Sequence, residues 1–243
     1  MISLIRYYSS KKQYANNSCK QNFRKFLINE SHIVSPAYIC KKIKIHNEKA
    51  LLECRDTGAI ISFLHYGNFF LIGASLTKNL DLPYTAVASL DNVSGKEKDL
   101  WYKLHQKINR FYTCNMILRN SNKRRLVECL KNNFFIGMAL DVHTIRKNKS
   151  LKHYDFQDST ICLDDFLAKI CKTYRKPVVA CCSHYDFIED THHMHFSEVI
   201  SHNSEVTKQS LAFLEKKCCN EDQFFHNIKH LFKSSAGFDR LKT

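Results

Sequence analysis

His65 is the side chain best placed to do chemistry. It closes a short apolar run, Ala59–Leu64, and is followed at once by Gly67 and Asn68. An imidazole takes a proton from a hydroxyl near neutral pH, so the residue type suits a general base. Gly67 permits a tight turn and close approach of a ligand. Backbone N–H groups at the start of the next segment could face an anion or a developing oxyanion. The competing reading is a histidine that only finishes a strand. Asp141 closes a second apolar run, Phe134–Leu140. In a parallel sheet it would open onto the same edge as His65, where it could orient the imidazole, bind a cation or cap a turn. Arg119 ends a third short run, Asn115–Leu118, and suits bidentate binding of phosphate or carboxylate, or a plain surface position.

The triplet His192, His193 and His195 has the residue type of a metal site, with Glu189 and Asp190 close in sequence. On a strand His193 and His195 share one face and His192 takes the other. An exposed strand rich in histidine is the simpler explanation, so no metal and no cofactor are expected. Other chemistries lack their signatures. There is no G-x-S-x-G elbow and no glycine-rich phosphate loop, which disfavours serine hydrolases and P-loop enzymes. The 11 cysteines include no C-x-x-C pair. The doublets Cys181–Cys182 and Cys218–Cys219 lack chelating spacing, so reduced thiols filling the core are expected.

The elements that must hold these residues alternate. Residues 1–55 are expected to form a basic helical segment, in which Lys20, Arg24 and Lys25 interleave with Phe23, Phe26 and Leu27. An α/β domain is expected over 56–233 and a loose tail over 234–243. Strands are expected at Ala59–Leu64, Tyr84–Leu90, Asn115–Leu118, Phe134–Leu140, Pro177–His184 and His193–Ile200. Helices are expected at Phe69–Lys78, Lys96–Tyr112, Asn122–Lys131, Cys162–Tyr174, Lys208–Cys218 and Asp222–Phe232. Val142–Ser159 reads as a polar, basic loop. Such alternation predicts an α/β fold, a mainly parallel central sheet flanked by helices.

Composition narrows the partners. Of 243 residues, 37 are Lys or Arg and 23 are Asp or Glu, a formal net charge of +14. A hydrophobic fraction of 44% with only 6 Gly and 3 Pro excludes disorder as the main description and argues against a hairpin-rich all-β fold. No run is long and apolar enough to predict a membrane-spanning helix, and the N-terminus is too polar for a secretory signal. The positive charge favours nucleic acid, anionic lipid or acidic proteins. Nucleic-acid motifs are missing, so nucleic acid is not expected.

Taken in order, these blocks resemble the bacterial lipid A late acyltransferases, a branch of the lysophospholipid acyltransferase superfamily. Gly58–Asn68 (GAIISFLHYGN) is similar to that family's strand, histidine, variable residue, glycine and asparagine. Met116–Arg119 (MILR), the helix ending Cys129–Asn133 (CLKNN) and Phe134–Asp141 resemble its next block. Phe156 with Ser159, Thr160 and Lys176–Val179 (KPVV) resembles the following one. Gln223–Lys233 (QFFHNIKHLFK) resembles its closing aromatic and histidine segment. The resemblance spans residues 45–233.

The resemblance implies a glycerolipid acyltransferase-like fold and a peripheral enzyme on the cytoplasmic face of the inner membrane. Such an enzyme moves an acyl group from an acyl carrier protein thioester to a hydroxyl of an anionic lipid acceptor. His65 would be the general base, with Gly67, Asn68, Arg119 and Asp158 binding substrate. The family orients its histidine with a carboxylate five residues on, and that position here is Phe70. Asp141 is the first replacement, Asp155 or Asp158 the second. The changed pair also suits aminoacyl (glycyl) transfer onto lipid A. The alternative is a catalytically degenerate member that binds lipid or carrier protein.

Overall fold

The computed structural model describes residues 40–88, 106, 115–118, 123–141, 151–156, 159–186 and 188–218. Among these, a seven-stranded mixed sheet forms the centre. Its strands in chain order are β1 (Ile43–His46), β2 (Ile60–Phe63), β3 (Tyr84–Ala88), β4 (Asn115–Leu118), β5 (Phe135–Ala139), β8 (Val178–Asp186) and β9 (Thr191–Phe196). Between β5 and β8 in the chain lie β6 (Leu151–Phe156) and β7 (Ser159–Asp164), a separate antiparallel pair. The spatial order is β1-β9-β8-β2-β5-β3-β4. Neighbours are parallel except β8 and β9, so β1 and β9 run opposite to the other five.

The central strands lack polar alternation because both of their faces are covered. All four residues of β2 are buried. One face packs Ile61, Phe63, Val179, Cys181 and Met194 against Leu51 of α1 (Glu48–Glu53) and against Leu71 and Ile72 of α2 (Leu71–Ala74). The other packs Ile60, Ile136 and Val178 against Leu130 of α3 (Lys123–Lys131) and Leu167 and Cys171 of α4 (Phe166–Tyr174). On that same side Ala180 and Cys182 meet Leu211 and Leu214 of α5 (Val206–Lys217). The buried hydroxyl of Ser62 donates to Ser210 at 3.0 Å, tying β2 to α5.

Three expectations need correction. Ile43–His46, assigned to the helical segment, is the edge strand β1. Its Ile43 and Ile45 alternate onto the core face, a period of two that a helix would break. The sheet and α1 therefore begin on the N-terminal side of the boundary expected at residue 56. Second, Leu151–Phe156 is a strand rather than loop, and Ser159–Asp164, where a helix was expected to begin at Cys162, is its partner. Phe156, Ile161 and Leu163 lie buried in the cluster under α5, and that burial overrides the polar character of the segment. Third, β9 begins at Thr191 and ends at Phe196. The helix expected over Asp222–Phe232, the tail, residues 1–39, and all of Lys96–Tyr112 except Gln106 lie outside the described residues.

At the amino edge of β8, buried Lys176 joins three loops. Its ammonium donates to the Thr57 carbonyl and, at 2.8 Å, to Asn133 Oδ1. Asn133 Nδ2 in turn donates to the Asp56 carbonyl at 2.6 Å. Replacing Lys176 with alanine leaves two acceptors without their donor. A loss of about 1–3 kcal/mol is expected, read as a lower urea midpoint at unchanged slope.

Candidate active site

Parallel register brings His65 and Asp141 together. Phe63 of β2 lies opposite Ala139 of β5, so counting two residues onward places 65 opposite 141. The Leu140 N–H continues the ladder to the Phe63 carbonyl at 2.8 Å. Asp141 then makes two contacts with one residue. Its Oδ2 accepts the His65 backbone N–H at 3.0 Å, and its Oδ1 lies 2.6 Å from His65 Nδ1. The carboxylate side chain is fully buried, whereas the imidazole is 18% exposed. An ionised carboxylate only accepts, so in the neutral ring Nδ1 carries the proton and the lone pair sits on Nε2. This is the orientation a general base needs.

Aromatic rings enclose the imidazole. Phe69 meets it edge-on with centroids 4.6 Å apart, and Phe63 does so at 6.0 Å. Phe70 packs on Phe69 at 4.2 Å and against the core. The position that lacks a carboxylate is thus part of an apolar wall.

Gly67 and Asn68 have structural work of their own. Gly67 adopts φ +55°, and a Cβ there would lie 2.4 Å from the Ser183 carbonyl oxygen. Ser183 also donates its hydroxyl to the Tyr66 carbonyl at 3.1 Å, which clamps the turn to β8. Asn68 is buried, and its carbonyl accepts the Leu71 N–H at 3.1 Å. The Ile72 N–H goes to Phe69 O at 3.2 Å. The Leu71 and Ile72 donors are therefore engaged within the turn itself. Only Leu71–Ala74 is α-helical before Ser75–Asn79 widens into a π turn. Arg119 and Asp158 lie outside the described residues. Asp155, the other candidate partner for the ring, accepts from the Thr160 hydroxyl at 3.4 Å across the hairpin, and Asp141 holds the Nδ1 position.

The histidine triplet is divided by the pleat. His192 is buried against Tyr185, with centroids 4.6 Å apart, on one face. His193 and His195 lie on the other. The strand is not an exposed one: β9 is interior, hydrogen-bonded to β1 and β8. A residue overlooked in the sequence, His46 of β1, joins the pair. Its Nε2 lies 2.8 Å from His193 Nδ1, and its ring stacks on His195 at 4.3 Å. The signal in the sequence was the alternation in IKIH, which marks a strand with Lys44 and His46 on one face; its pairing with β9 sets His46 opposite His195. Burial, then repulsion from the neighbouring His46 and Lys217, lowers the His195 pKa to about 4.

The described cysteines carry no disulfide. Burial pushes the Cys54 thiol to about 11 and Cys171 to about 12, and raises Cys181 well above its ordinary value. None of these three is a thiolate nucleophile at neutral pH. Native-state alkylation mapped by mass spectrometry is expected to leave Cys171 and Cys181 unmodified, with both labelled after denaturation.

A scan against protein-family models and a search of curated proteins each found no match to the chain. No helix among the described residues is long and apolar enough to cross a membrane.

Proposed function

We propose that the chain is an acyltransferase acting at a membrane surface, with His65 as general base and Asp141 as the group that orients it. The observation that carries this reading is the double grip of Asp141 on the His65 ring and backbone at the carboxyl edge of parallel strands. Open α/β sheets bind ligands at such edges. A buried carboxylate, a mostly buried imidazole and apolar walls suit a proton transfer made in low dielectric.

In the proposed reaction the acceptor lipid hydroxyl lies against His65 Nε2. Its proton passes to Nε2 as its oxygen attacks the thioester carbonyl of the carrier-bound acyl group. The imidazolium that forms is stabilised by the Asp141 carboxylate. The tetrahedral intermediate collapses, the C–S bond breaks, and the thiolate leaves with the proton from Nε2. The products are an ester and a free carrier thiol, and the base is regenerated. Both partners are anionic, and the net charge of +14 attracts each of them.

The test is direct. The purified full chain is incubated with vesicles containing lipid A and with fatty-acyl or glycyl thioesters of a carrier protein. Lipids are then read by mass spectrometry. The expected result is a mass increment on lipid A that identifies the transferred group and is absent for His65→Ala. Lipid binding without any increment, unaffected by His65→Ala, would instead identify a binding protein with this fold and overturn the catalytic reading.

A further inference from the structure

On the face of the sheet covered by α5, two strands away from His65, four imidazoles collect. His46 comes from β1, His193 and His195 from β9, and His184 stands directly opposite His193 on β8. His193 and His184 have ring centroids 5.9 Å apart. One ligand atom from each of His46, His193 and His195 falls within 4.8 Å of the others. We propose that His46, His193 and His195 form a binding site for a divalent transition ion of the zinc type, independent of the His65–Asp141 pair.

The spacing is close to what such an ion requires. Zinc–imidazole bonds of 2.0–2.1 Å in tetrahedral array set the nitrogens about 3.3 Å apart. His46 Nε2 and His193 Nδ1, now 2.8 Å apart, need to part by roughly half an ångström, and His195 needs to turn inward. Both are rotations about χ2, a soft torsion in histidine. The strands themselves are fixed, since β1 and β9 pair over four consecutive positions.

The surroundings match a metal site in a second way. His193 presents Nδ1 to the cluster, and its buried Nε2, which has no hydrogen bond as placed, lies 3.4 Å from Glu189 Oε2, within a small rotation of one. A carboxylate behind the far nitrogen of a ligating histidine selects the tautomer that aims a lone pair at the metal. Asp186, whose carboxylate lies within 4.8 Å of the potential ligand atoms of Glu189 and His193, adds negative charge. Against these stand Lys44 and Lys217, the cations that face His46, with Lys217 also facing His195. The two carboxylates stand against His193, and the two ammonium groups against His46 and His195. Three imidazoles, with a fourth position open to water or His184, favour Zn2+ over the hard ions Mg2+ and Ca2+. Bound there, the ion would fasten the edge strand β1 to β9.

The experiment uses the untagged full chain, stripped with chelator and titrated with Zn2+ and with Co2+. One ion per chain is expected, with Co2+ giving visible bands of a four- or five-coordinate nitrogen–oxygen site. Zn2+ affinity is expected to fall at least about 100-fold in His46→Gln or His195→Gln, and about 10- to 100-fold in Glu189→Gln. His202→Gln, at an exposed position, leaves it unchanged. Zn2+ raises the melting temperature of the wild-type chain and not of His46→Gln. The proposal is overturned if no stoichiometric ion binds, if the Co2+ spectrum shows thiolate charge transfer, or if folded His46→Gln and His195→Gln both bind as the wild type does. The wild-type Co2+ spectrum decides between nitrogen and sulfur ligands even where a variant fails to fold.

Discussion

Replacing Asp141 with asparagine is expected to lower the proposed acyl transfer by about 10²–10⁴-fold while leaving the fold in place. Asp141 offers two acceptors to one residue, the His65 N–H to Oδ2 and the ring Nδ1–H to Oδ1. Asparagine has one acceptor and one donor, so it cannot satisfy both. If its oxygen stays on the backbone N–H, its amide faces Nδ1, which must then accept. The ring proton moves to Nε2, and the atom that should take the substrate's proton is occupied. If the amide turns round, its N–H meets the backbone N–H, and two buried donors oppose each other. The loss of rate is read from initial velocities with saturating thioester. The tautomer is read independently from ¹⁵N shifts of the His65 ring, with Nδ1–H in the wild type and Nε2–H in the variant. A purely structural role for Asp141 would lower stability without exchanging the tautomer.

Gly67→Ala is expected to destabilise the protein by about 2–4 kcal/mol, a fall in melting temperature of roughly 4–16 °C. Two costs combine. At φ +55° an L residue is strained, at about 1 kcal/mol or more. The new methyl would also lie 2.4 Å from the Ser183 carbonyl oxygen, and a backbone atom of β8 has no rotamer with which to retreat. Relief must come from shifting the turn, which carries His65 away from Asp141. Activity is therefore expected to fall in the fraction that remains folded, and thermal unfolding with circular dichroism separates the two effects. Conversion of Ser183 to glycine would not rescue the variant, because the nearest obstacle is the carbonyl and not the hydroxyl.

Gly67 also shows how a residue can be legible in type and not in reason. A glycine after the histidine reads in sequence as room for a ligand. In the fold the room is filled by β8, and the glycine is required by that contact. Phe70 is a similar case. As one residue it is only a missing carboxylate. In the fold it packs on Phe69 as part of the wall beside the imidazole.

Local sequence determined the strand β2 and the turn after it, the strand β5, and hence which residues stand at two strand ends. Apolar runs of four to six residues bounded by polar ones fit the buried strands of a covered sheet and are too short for an ordinary helix. It failed at β1 and β6, where polar and basic residues interrupt the apolar ones, and at β7, whose Ile161 and Leu163 are buried by α5 from far along the chain. Tertiary structure alone decided that β2 and β5 are neighbours, and in a register that sets 65 against 141. It alone decided that β1 lies beside β9, which sets His46 with His193 and His195 on one face and leaves His192 on the other. Strand order and register are properties of pairing between distant segments, and no spacing within one segment encodes them.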